Sequence, residues 1–146
     1  MIAAEPFDSP DAQALATAQQ VELEGGDIGP TRVAAMFEPP DGVFLVARDE
    51  DGMPLGCGGV ARFDATRGEL KRMYVLPAAR GRGLGRRLLD ALELEARRLG
   101  YRALVLETGE AQSEAIGLYR SSGYEPIPCY GAYAARAISR CFEKAL

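Results

Sequence analysis

The sequence contains no histidine and no tryptophan. Without histidine, neither a Ser-His-Asp nor a Cys-His catalytic arrangement can form, and a histidine-based metal site is excluded. Acid–base chemistry must then come from carboxylates, tyrosine, cysteine, lysine or water. Cysteine is scarce as well: Cys57, Cys129 and Cys141 show no C-x-x-C spacing, and their number is odd. That pattern argues against a disulfide framework and predicts buried, reduced thiols. No apolar run approaches the roughly 20 residues that span a bilayer. The N-terminus lacks the basic-then-apolar pattern of a secretory signal. A cytoplasmic protein with no membrane partner is expected. A net charge of −4 speaks against a general polyanion binder, so no nucleic-acid partner is expected either.

What is present fits an ordinary soluble globule. The 146 residues are 47% hydrophobic and 26% charged, enough for a single domain over residues 1–146. The basic residues are unevenly placed, with six of the 17 between Lys71 and Arg87. Among them lies Arg80-Gly81-Arg82-Gly83-Leu84-Gly85. Glycines at alternate positions let backbone N–H groups close on a ligand. The helix expected over Leu84 to Leu99 adds the positive end of its dipole. Arg80, Arg82, Arg86 and Arg87 add full charges. The run reads as a phosphate cradle, with a plain tight turn as the alternative. It is not a dinucleotide fingerprint, because the last glycine of G-x-G-x-x-G is replaced by Arg86, and it is not a P-loop, because no Gly-Lys-Ser/Thr follows.

Around this run the pattern predicts an α/β chain. Ile2 to Pro6 reads as a short strand. Ser9 is an N-cap for a helix to about Leu23, stopped by Gly25-Gly26. Residues 27–41 are poorly patterned, with a short helix near Thr31 to Phe37. Val43 to Arg48, Leu55 to Phe63 and Glu69 to Leu76 form an antiparallel meander, and Gly56, Gly58 and Gly59 signal a bulge or a close-packed neighbour. Leu84, Leu88, Ala91, Leu92, Ala96 and Leu99 share one helical face, with Glu93 and Arg97 pairing on the other. Ala103 to Leu106 is a buried strand, parallel to the third because a helix crosses between them. A helix over Ser113 to Ser122 and strands over Tyr124 to Cys129 and Ile138 to Lys144 complete the chain. The sheet is mixed and mostly antiparallel, with six or seven strands, a central parallel pair and flanking helices.

This order of strand, Arg-x-x-Gly-x-Gly, helix, strand and helix resembles the GNAT superfamily of acyl-CoA N-acyltransferases. Arg80, Gly83 and Gly85 match its phosphate motif. Ala115, Tyr119, Gly123 and Tyr124 match its later signature, with Gln112 where asparagine is usual. The likeness covers about residues 43 to 127. Glu107-Thr108-Gly109, Glu114-Ala115-Ile116 and Tyr130-Gly131 look like those of a subgroup of small bacterial acetyltransferases.

The resemblance implies the GNAT fold, a splayed parallel strand pair, and acetyl-CoA as co-substrate with no metal. Backbone N–H groups of Gly81, Arg82, Gly83, Leu84, Gly85 and Arg86 would hold the pyrophosphate, with Arg80 and Gln112 beside the cofactor. Met73, Tyr74 and Val75 would pair with the pantetheine amides. Tyr119 would act as general acid at the sulfur. Glu69, eleven residues before Arg80, would act as base, with Glu107 the alternative. The acceptor would be a primary amine of a small molecule or peptide, bound by residues 27–41 and 128–137, which include Glu38, Asp41, Tyr130, Tyr133 and Arg136. Oligomeric state is not legible in the sequence, although a homodimer is the commonest assembly of soluble oligomers; a non-catalytic CoA-binding module of the same fold is the alternative function. The chemistry balances without histidine: a carboxylate takes the proton of an amine with a pKa of about 10, and a tyrosine protonates a thiolate leaving group.

Overall fold

A computed structural model describes residues 1–23 and 31–146. The Gly25-Gly26 helix stop and residues 27–30 of the expected acceptor segment lie outside the described residues. In chain order the strands are β1 (Ile2–Ala4), β2 (Val43–Arg48), β3 (Pro54–Arg62), β4 (Arg67–Val75), β5 (Ala103–Gly109), β6 (Glu125–Ile127) and β7 (Ser139–Ala145). The helices are α1 (Pro10–Glu22), α2 (Leu84–Arg98) and α3 (Ser113–Ser121), and Thr31–Phe37 forms 3-10 turns. The seven strands make one sheet in the order β1-β2-β3-β4-β5-β7-β6, and β4–β5 is the parallel pair.

The helices cover opposite faces. α2 lays Leu89, Leu92 and Ala96 on Val60, Leu70, Leu104 and Leu106. α1 lays Ala12, Leu15 and Ala16 with Phe7 and Phe37 on Phe44, Val46 and Cys57. A strand covered on both sides needs a continuous apolar run, which is why Phe44, Leu45, Val46 and Ala47 are all buried. Ser9 caps α1 as expected, its Oγ accepting from the Ala12 N–H at 3.2 Å. Among the described residues, no helix is long and apolar enough to cross a membrane.

Two expectations are corrected. Glu93 does not pair with Arg97 on the solvent side of α2. It is buried, accepts from the Tyr124 hydroxyl at 2.9 Å and from Lys144 Nζ at 2.9 Å. Tertiary placement of Tyr124 and β7 beside α2 decides this, and helical spacing carries no trace of it. A buried carboxylate that loses its cation is costly. Lys144→Met is therefore expected to lower the unfolding free energy by about 2 kcal/mol in a urea titration, a value reduced from the buried-pair range because Lys144 is partly solvated.

The second concerns the thiols. Cys129 and Cys141 form a disulfide, and Cys57 alone stays a buried free thiol. The cause is the register of β6 on β7, which sets Ile127 opposite Cys141 and brings Cys129 around to it. The resulting Cα–Cα distance of 5.1 Å suits a disulfide. Twelve residues of sequence separation gave no warning of that approach.

Candidate functional site

Pairing between β4 and β5 stops at Leu70 and Leu106, although β4 runs on to Val75 and β5 to Gly109. A bulge accounts for the parting. Between the pairs Gly59–Lys71 and Cys57–Tyr74, β4 places Arg72 and Met73 against the single Gly58 of β3. Arg72 sits in the left-handed region at φ 59°, and an extra residue of this kind bends its strand. A Cβ at Gly58 would lie 2.7 Å from Leu92 Cδ1, so α2 passes close to this strand and any larger residue would have to displace the Leu92 side chain. Of the two readings the glycines of β3 left open, a bulge or a close-packed neighbour, both are met at Gly58. Met73, Tyr74 and Val75 are left without a partner on β5.

Beyond the parting lies a cleft of about 670 Å³. Met73, Tyr74 and Val75 form one wall. Arg80, Gly81, Gly83, Leu84 and Gly85 form its base, and Gln112 and Tyr119 stand on the α3 side. Gly81 and Gly83 have φ of 80° and 77°, and a Cβ on either would meet nothing within 4 Å. Backbone conformation, not crowding by the protein, demands glycine at both. Gly83 also occupies the N-cap of α2 and offers no side-chain cap. The first N–H groups of α2 are then left for an anion, and the helix dipole favours one there. The donor set fits a phosphate-bearing cofactor.

The arginines divide. Arg80 donates from Nε to the Val75 carbonyl at 2.9 Å, lies over the Tyr74 ring at 5.6 Å and pairs with Glu22 at 2.8 Å. Arg82 bonds the Ala78 carbonyl at 2.8 Å, and Arg86 bonds Ser121 Oγ at 2.7 Å; neither side chain lines the cleft. Two residues of α1 that carry no motif do line it. Gln19 donates to the Met73 carbonyl at 3.1 Å, and Glu22 holds Arg80. Only the docking of α1 against β4 reveals them.

Tyr119 is 5% exposed, with its ring edge-on to Tyr124 at 5.7 Å. Burial raises its hydroxyl well above the ordinary tyrosine value, so it stays protonated at neutral pH. Glu69 stands elsewhere. It precedes Leu70, and Glu107 follows Leu106; both leucines pack in the core that α2 covers. Strand alternation turns the two carboxylates to the opposite face of the sheet. There Tyr130 donates to Glu69 Oε2 at 3.1 Å, Lys71 Nζ lies 3.5 Å from the same oxygen, and Ser139 Oγ donates to Glu107 Oε2 at 2.8 Å. Burial first, then the Glu69 charge, pushes the Tyr130 hydroxyl far up. Tyr130 also packs edge-on against Phe63 and Tyr133, at 4.8 and 5.8 Å. Glu38, Asp41 and Arg136 are exposed. The residues thus gather as a cofactor-type cleft and a separate carboxylate–tyrosine group, with the parted strands between them.

Residues 12–124 match the model of the "Acetyltransferase (GNAT) family". A protein of Azospirillum brasilense named IAA acetyltransferase is 46% identical over 108 residues, covering 73% of this chain and 70% of its own length. The chain spans 58% and 56% of the length of two further curated relatives. A crystal structure from Klebsiella pneumoniae, provisionally assigned as an acyl-CoA N-acyltransferase, superposes with a TM-score of 0.89 at 32% identity and covers 100% of this chain and 97% of that one. A GNAT family acetyltransferase of Elizabethkingia anophelis, solved with acetyl-CoA bound, shares the fold at 17% identity with a TM-score of 0.77, covering 100% of this chain and 97% of that one.

Proposed function

We propose, on the premise that this chain belongs to the GNAT acetyltransferase family, that it moves an acetyl group from acetyl-CoA directly to a primary amine of a small molecule or peptide. The observation that carries this reading is the joining of three features in one cleft: the Gly81–Gly83 cradle at the start of α2, the β4 edge that β5 does not pair, and the protonated Tyr119.

In this reading the N–H groups from Gly81 to Arg86 hold the pyrophosphate, and the backbone of Met73 to Val75 pairs with the pantetheine arm and polarises the thioester carbonyl. Glu69 takes a proton from the acceptor nitrogen as the C–N bond forms. Tyr119 gives its proton to the sulfur as the C–S bond breaks. Protons and electrons balance without a covalent enzyme intermediate. Arg82 and Arg86 would reach the cofactor only after leaving Ala78 and Ser121.

The deciding experiment measures thiol release from acetyl-CoA against benzylamine, spermidine, L-methionine, kanamycin and a lysine-containing tripeptide. Amine-dependent release supports the reading. Calorimetric binding of CoA with no release on any amine supports a CoA-binding module instead. Glu22→Gln removes a negative charge from the cleft and frees Arg80. It is expected to tighten acetyl-CoA binding about threefold in the same calorimetry, the scale of a partly exposed ion pair.

A further inference from the structure

We propose that Tyr130 is a positioning residue for Glu69, fixing one carboxylate oxygen so that the other meets the acceptor nitrogen. This rests on the assignment of Glu69 as proton acceptor made above.

The geometry is directional. Tyr130 donates to Oε2 of Glu69, and Lys71 Nζ also approaches Oε2. Among the described residues, no hydrogen bond reaches Oε1. A carboxylate held by one oxygen and free at the other presents a lone pair in a set direction, which proton transfer requires. The Tyr130 ring is itself held independently of Glu69. It lies edge-on to Phe63 from the end of β3 and to Tyr133 from its own loop. The preceding residue, Cys129, is tied to Cys141, which stands opposite Glu107 in the β5–β7 register. Ring packing and a covalent tie therefore place the hydroxyl, and the hydroxyl places the carboxylate. Burial keeps that hydroxyl protonated through the neutral range, so it is available there as a donor.

The other candidate carboxylate is differently placed. Glu107 accepts from Ser139, on the neighbouring strand, and among the described residues no aromatic clamp stands behind that donor. Tyr130 thus singles out Glu69 of the two.

The test is a double-mutant cycle in kcat, using the panel amine with the highest thiol release. Tyr130→Phe keeps both ring contacts and removes only the hydroxyl. It is expected to lower kcat about tenfold, the scale of one hydrogen bond to a charged group, with KM for acetyl-CoA unchanged. In a Glu69→Ala background the same substitution is expected to change kcat less than twofold, because its target is gone. Equal losses in both backgrounds would show that Tyr130 acts through something other than Glu69 and would overturn the proposal. So would an unchanged kcat in Tyr130→Phe while Glu69→Ala is impaired. Wild-type protein that binds CoA and releases no thiol on any amine would overturn the acetyl-transfer reading itself, a result separable from either of these.

Discussion

Tyr119→Phe is expected to lower kcat about a hundredfold, within the range for loss of a positioned general acid, while acetyl-CoA affinity stays within twofold. The substitution removes one oxygen and keeps the ring contacts with Tyr124 and Phe142, so the thermal midpoint should hold. Kinetics can therefore be read without a folding defect. Burial raises the Tyr119 hydroxyl well above the ordinary tyrosine value. The acid form is then present throughout the neutral range, and no alkaline fall in kcat below about pH 10 should trace to Tyr119. The same shift carries a stability sign. A group whose folded value exceeds its unfolded value stabilises fully below the unfolded value, and the contribution is lost as pH rises through the folded one. Resistance to urea should fall above about pH 10 in wild type and less steeply in Tyr119→Phe. Full retention of kcat in Tyr119→Phe would remove the acid assignment.

The sequence already exposed the parts governed by local rules. Alternating strand residues, the Ser9 cap, the helical face of α2 and the glycines at positive φ act within a few residues of chain, and their elements stand where the pattern predicts. The parting of β4 and β5 was implied by the family resemblance, and the glycines of β3 flagged a bulge or a close neighbour at that place. What was hidden depends on chain segments far apart. Glu93 has the spacing of a surface pair with Arg97, yet Lys144, 51 residues on, claims it. Gln19 and Glu22 look like ordinary polar positions until α1 docks 54 and 58 residues upstream of their partners Met73 and Arg80. Arg82 and Arg86 share the glycine run with Arg80, but adjacent positions on a turn and a first helical turn aim in different directions. Only Arg80 reaches the cleft. Glu69 and Tyr130 are 61 residues apart, and β7 with its loop is what joins them.

Reducing the Cys129–Cys141 bond is expected to lower the unfolding free energy by about 3 kcal/mol, the loop-closure value for a ring of this size. For a chain of this length that corresponds to a fall of roughly 10 °C in thermal midpoint. The bond closes a segment with a sequence separation of 12. Within it, 3-10 turns over Gly131–Tyr133 and exposed residues from Ala134 to Ile138 supply little buried surface of their own. Few apolar contacts would replace the covalent tie. Cys57 simplifies the measurement. Burial pushes its thiol up to about 12, so it remains protonated and unreactive in the folded state. Native protein should show no fast-reacting thiol, and gentle reduction should reveal two. The functional consequence should be one-sided, because the clasped segment carries Tyr130 and Tyr133 and contributes nothing to the cleft walls. Reduced protein, assayed below its new midpoint, should bind acetyl-CoA as before and show a lowered kcat together with a raised KM for the amine. A matched loss of cofactor affinity would mean that the tie supports the sheet as a whole. An unchanged kcat would mean that ring packing on Phe63 suffices to hold Tyr130 in place.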